Sequence, residues 1–168
     1  MISNGEHEIG TSVIREVFEM MKIRRVVTGC NAEGKGIVKW DGEIEAISGR
    51  PGFSNVLLWA TKELPAKLTE DDPATWEIGT TLAGGSVFRI ARYEPGVAKR
   101  WHRTDSVDYG IVLSGGIWME LDEQEVHLKA GDVIVQRGTV HNWVNRGTEP
   151  CIIAFILIAT EGGKATGW

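Results

Sequence analysis

The sequence predicts an all-β fold, an antiparallel sandwich or barrel, on three observations. From Tyr109 onward the segments YGIVLSG, GIWMELD, EVHLKAGD, VIVQRG, HNWVN and CIIAFILIA follow one another, punctuated by Gly, Asp and Asn at the spacing of strands joined by short turns. No helical periodicity interrupts that run. The last segment, Cys151 to Ala159, is apolar throughout, about half the roughly 20 residues a membrane-spanning helix needs, and Ile-rich, which suits a strand buried on both faces.

Taken in order, residues 9–21 place Ile9, Val13, Val17 and Met21 four apart, with Ile14 and Phe18 beside them, the periodicity of a short amphipathic helix. Short apolar segments at 23–29, 36–40, 56–61 and 86–96 then read as strands. Residues 61–81, with Pro65, Asp71, Asp72 and Pro73, read as a long loop. In DYGIVLSG, Tyr109, Ile111 and Leu113 are large and apolar, whereas Asp108, Gly110, Val112 and Ser114 are small. Both faces of this strand and of the last one therefore need cover, from the N-terminal elements or from a second subunit. The expectation is a homodimer.

A chain of 168 residues suits one domain, with 42% apolar and 24% charged residues, the composition of a globular protein. Its organisation is expected to be residues 1–85 as a helix and strands packing on a barrel or partner, 86–160 as the barrel core, and 161–168 as a tail. A net charge of -5, with no basic run longer than Arg24 and Arg25, gives no footprint for nucleic acid or an anionic membrane. The first ten residues lack a basic region followed by an apolar stretch, and Cys30 and Cys151 share no CxxC spacing, so a reducing cytosol is expected.

Two motifs carry the chemistry. Gly96, five residues, His102, one residue, Thr104, three residues, Asp108, six residues and Gly115 form the first; Gly131, Gly138, His141 and Asn145 in GDVIVQRGTVHNWVN form the second, with residues 116–130 between them. This spacing resembles the paired motifs of the cupin superfamily, with Thr104 for a second histidine, Asp108 for a glutamate and Gln136 where proline is usual. The resemblance covers about residues 86–160. It implies a double-stranded β-helix, the jelly-roll cupin barrel, here with a short N-terminal helix and extra N-terminal strands. More closely, the motifs look like a bacterial and fungal subgroup of small cupins labelled cupin-domain oxidoreductases.

The resemblance implies a metal centre in which His102, Asp108 and His141 would be ligands and catalytic residues. Two His and one carboxylate suit Fe(II), with Mn, Ni or Zn as substitutes. Asp is one methylene, about 1.5 Å, shorter than Glu, comparable to the ligand bond itself. Asp108 therefore has a competing reading as a buried acid bonded to Thr104 or Ser106, whose raised pKa would suit metal-free proton transfer. Thr104, Gln136, Arg137 and Trp143 are the candidate substrate-binding residues; Trp143 should share the face of His141, and Trp101 should not share that of His102. His127 reads as a surface residue, His7 as part of a polar tail, and Asn145 as a turn residue. The functional expectation is a metal-binding oxidoreductase, dioxygenase-like, acting on a small aromatic or carbonyl-bearing metabolite. The alternatives are a metal-independent isomerase, dehydratase or cyclase, and a non-catalytic small-molecule-binding domain.

Overall fold

The computed structural model describes residues 21–167, so the helix expected at 9–21 and His7 lie outside the described residues, except for Met21. The strands are β1 (Lys22–Cys30), β2 (Gly36–Glu45), β3 (Ile47–Arg50), β4 (Phe53–Thr61), β5 (Ser86–Tyr93), β6 (Ser106–Ser114), β7 (Gly116–Glu120), β8 (Glu125–Lys129), β9 (Val133–Arg137), β10 (Asn142–Val144) and β11 (Cys151–Ala159). They form a large sheet, β3-β4-β5-β11-β6-β9, a small sheet, β10-β7-β8, and a separate β1-β2 ribbon, with every pairing antiparallel. This is the all-β double-stranded β-helix expected. Two isolated bridges, His102↔His141 and Arg103↔Thr166, lie outside the named strands.

The main core lies between the two sheets. Val87, Ala91, Tyr93, Val112, Ile153, Phe155 and Leu157 from the large sheet meet Ile117, Met119, Leu128 and Trp143 from the small one. Each large apolar side chain buried there contributes about 1.5–3 kcal/mol. Strand β6 turns its small residues inward, because a Cβ on Gly110 would come within 2.9 Å of Ile134 and 3.1 Å of Phe155. The large residues Tyr109, Ile111 and Leu113 are left on the outer face beside Phe88, Val133 and Val135, all exposed in the single chain. Elsewhere that face is covered: Met21, Ala46, Val56, Leu58, Ile90 and Ala154 form a second cluster, against which Ile23 and Ile44 of the ribbon pack.

The four motif glycines, Gly96, Gly115, Gly131 and Gly138, all have positive φ, between 63° and 92°. The motif spacing is therefore a record of where the chain must turn through backbone conformations that L side chains rarely adopt.

The segment between β4 and β5 is irregular apart from a 3-10 turn at Pro73–Thr75. Asp72 anchors it: one carboxylate oxygen caps the turn at the Ala74 N–H, 3.0 Å, and the side chain forms a two-pronged pair with the half-buried guanidinium of Arg25 in β1. Removing one partner leaves the other charge without compensation. Asp72→Ala is expected to cost about 2 kcal/mol in urea unfolding and to speed tryptic cleavage at Lys62 and Lys67. Cleavage at the wild-type rate would show that the pair does not hold the segment.

Candidate active site

The site is assembled by strand register. His102 and His141 face each other as an antiparallel pair that exchanges both backbone hydrogen bonds, 3.0 and 2.9 Å, so their side chains emerge on one face with ring centroids 4.3 Å apart. Across the barrel, Asp108 on β6 is the register partner of Gln136 on β9, and both are buried on the inner face. Gln136 joins the two halves. Its Oε1 accepts from the Gly138 N–H at 2.9 Å, which sets the amide orientation, and lies 3.4 Å from the Thr104 hydroxyl. Its Nε2 donates to the Thr139 carbonyl at 2.8 Å and lies 3.0 Å from His141 Nδ1.

Hydrogen bonding decides the tautomer of His102. Nδ1 of His102 lies 2.9 Å from the Arg100 carbonyl and Nδ1 of His141 lies 2.9 Å from the Thr139 carbonyl. A carbonyl can only accept, so Nδ1 of His102 carries the proton, whereas Nδ1 of His141 stands between the Thr139 carbonyl and the Gln136 amide nitrogen, a donor, two contacts that favour opposite tautomers. Burial, then the neighbouring His141, pushes the pKa of His102 down to about 4, and burial lowers that of His141. Both rings are neutral at pH 7. Asp108 is driven the other way: burial raises its pKa to about 6, although the Ser106 and Thr104 hydroxyls donate to it, the latter at 3.0 Å.

These groups line one cavity of about 870 Å³ together with segment 74–80, Trp143 and three arginines, Arg50, Arg89 and Arg100. Phe53, Tyr93, Trp143 and Phe155 form a continuous aromatic wall, with successive ring centroids 5.1, 6.2 and 5.7 Å apart. Of the residues predicted from sequence, His102, Thr104, Asp108, Gln136, His141 and Trp143 meet at this cavity. Arg137 does not. Alternation along β9 turns Gln136 inward and so turns Arg137 out to solvent. Trp101 and His127 are exposed, His127 stacking on Trp118 at 4.8 Å, and buried Asn145 ties the turn at 145–149 to Tyr93. Sequence reasoning named Ser106 as a partner of Asp108 and missed the cavity arginines Arg50, Arg89 and Arg100.

The expected metal set does not fit as it stands. His102 and His141 are together, but both Asp108 oxygens accept from hydroxyls, and among the described residues no group of three His, Cys, Asp or Glu side chains is gathered as a metal site would need.

Residues 89–158 match the Cupin_2 family, described as a cupin domain. The chain is 35% identical over 144 residues to the cupin-domain-containing oxidoreductase virC of Hypocrea virens, covering 80% of this chain and 74% of that protein. The chain belongs to the cupin family. This cupin is also 30% identical over 165 residues to the cupin-domain-containing oxidoreductase srdD of Neurospora crassa, covering 89% and 84% of the two chains. It is 46% identical over 110 residues to phomopsin biosynthesis cluster protein C' of Diaporthe leptostromiformis, covering 61% of this chain; the cupin spans 57% of that relative's length. A conserved double-stranded β-helix protein from Klebsiella pneumoniae aligns with a TM-score of 0.43 at 27% identity, over 48% of this chain and 72% of its own. Among the described residues no helix is long and apolar enough to cross a membrane.

Proposed function

We propose that this cupin is an enzyme that moves protons on a small carbonyl-bearing metabolite within its barrel, in an isomerisation, dehydration or cyclisation. The observation that carries this reading is Asp108, a carboxyl group inside the lumen whose pKa near 6 lies close to neutral working pH. As a carboxylate, Asp108 takes the proton from a carbon next to the substrate carbonyl, and the C–H electron pair moves to give an enolate. It then returns that proton to a different carbon, which isomerises the substrate, or to a departing hydroxyl, which leaves as water. Ser106 and Thr104 fix the carboxylate, and Gln136 holds the His141 loop beside it. The two imidazoles exchange hydrogen bonds with substrate hydroxyls. Relatives named as oxidoreductases and as biosynthesis cluster proteins support enzymatic work on a small metabolite.

A second reading, a metal-dependent oxidoreductase, is favoured by the facing imidazoles of His102 and His141. One experiment separates the two. Chelator-treated protein in D2O is incubated with a panel of aryl ketones, and C–H to C–D exchange beside the carbonyl is followed by NMR. Exchange by wild type that is lost in Asp108→Asn supports proton transfer. Exchange or turnover that appears only when Fe(II), Mn, Ni or Zn is added overturns it.

A further inference from the structure

Alternation along β5 sends Val87, Arg89, Ala91 and Tyr93 to the interior, where Val87, Ala91 and Tyr93 belong to the core. Arg89 stands in that row with Leu57 and Phe155 as its register partners on either side. A guanidinium in an apolar lumen is costly unless an anion compensates it. Among the described residues no carboxylate forms an ion pair with it. Its protein partners are neutral: the Gly79 carbonyl at 2.6 Å and Asn55 Oδ1 at 3.4 Å. Its Nε–H is buried with no acceptor among the described residues. Arg50, stacked over Phe53 at 4.4 Å, lines the same cavity and adds positive charge.

We propose that Arg89 is the anchor of an anion subsite, and that the ligand of this cavity is an aromatic carboxylate whose ring lies on the Phe53, Tyr93, Trp143 and Phe155 wall. The carboxylate supplies the acceptor that the buried Nε–H lacks and a countercharge in direct contact, where Asp108 acts on Arg89 only by longer-range attraction, and a guanidinium suits its flat, two-oxygen geometry. This subsite deepens the proposed function, since it rests on the barrel lumen being the substrate site; its test nevertheless needs no turnover.

Benzoate and its neutral isostere benzamide are titrated into the intact wild-type protein by calorimetry, and the arginine Nε–Hε resonances are followed by NMR. Benzoate is expected to bind at least tenfold more tightly than benzamide and to shift the Nε–Hε signal that is missing from Arg89→Met. In Arg89→Met the preference should vanish while the melting temperature stays close to that of wild type, because Arg89 is only partly buried and its two protein partners are neutral. Arg89→Lys, which keeps the charge, covers the case in which the methionine variant does not fold; it should retain the benzoate preference at reduced affinity. Equal binding of the two probes by wild type overturns the proposal, as does full benzoate affinity in Arg89→Met. Absence of deuterium exchange by metal-free wild type in the preceding experiment, with the benzoate preference intact, would strike only the proton-transfer reading.

Discussion

At pH 7.5 the Asp108→Asn protein is expected to melt several degrees above wild type, and the difference should vanish below about pH 4. Folding raises the Asp108 pKa from 3.8 to about 6, so the folded state binds the proton that the unfolded state releases between those values. Stability from this group is present below pH 4 and falls as pH rises to 6, with a slope of at most about 1.4 kcal/mol per pH unit. His102 has the opposite sign. Its pKa falls from 6.5 to about 4 on folding, so the unfolded state binds more protons in that window and stability rises with pH. In wild type the two slopes oppose each other. Asp108→Asn removes one of them and should unmask a rise in stability between about pH 4 and 6.5. It should also gain about 2 kcal/mol above pH 7, after allowance for fitting a neutral amide between two hydroxyls. Thermal melts at four pH values check this, and parallel curves for the two proteins would show that Asp108 is not desolvated on folding.

Gly115→Ala is expected to be the most damaging of the motif substitutions. Gly115 sits at φ 71°, and a Cβ there would lie 2.3 Å from the Pro150 carbonyl oxygen and 3.0 Å from Cys151 Cα, both backbone atoms at the start of the central strand β11. Neither can swing aside as a side-chain tip would. Strain at positive φ and the forced backbone shift together should cost about 4 kcal/mol. Gly131 is the control, since at φ 92° a Cβ meets nothing within 4 Å. Gly131→Ala should therefore show the conformational cost alone, about 1–2 kcal/mol. Equal urea midpoints for the two variants would refute the steric account.

Ten of the eleven described strands were legible in the sequence. Strand β3 was not, because Ile47–Arg50 is four residues long and Gly49 breaks its alternation. Both histidines were found from motif spacing, yet nothing in RWHRTDS marks the bridge that sets His102 opposite His141, since one isolated pair has no periodicity to read. Parity was the recurrent difficulty. In SVFRIARY both faces are largely apolar, so whether Arg89 or Phe88 points inward depends on partner strands far away in sequence. Gln136 and Arg137 are adjacent candidates in the sequence, and alternation along β9 turns only Gln136 inward. Asp108 reads as a choice between ligand and hydroxyl-bonded acid because Thr104 and Ser106 stand four and two positions before it and Ser106 shares its strand face, and the hydroxyl bonds are present.

Positions 102 and 141 are married through their peptide groups and not through their imidazoles. Such a junction works as a socket: different side chains can be plugged into it while the frame keeps its shape. Libraries restricted to these two positions should yield many soluble barrels with altered chemistry, and a lineage of such proteins could change its reaction there without first rebuilding its scaffold.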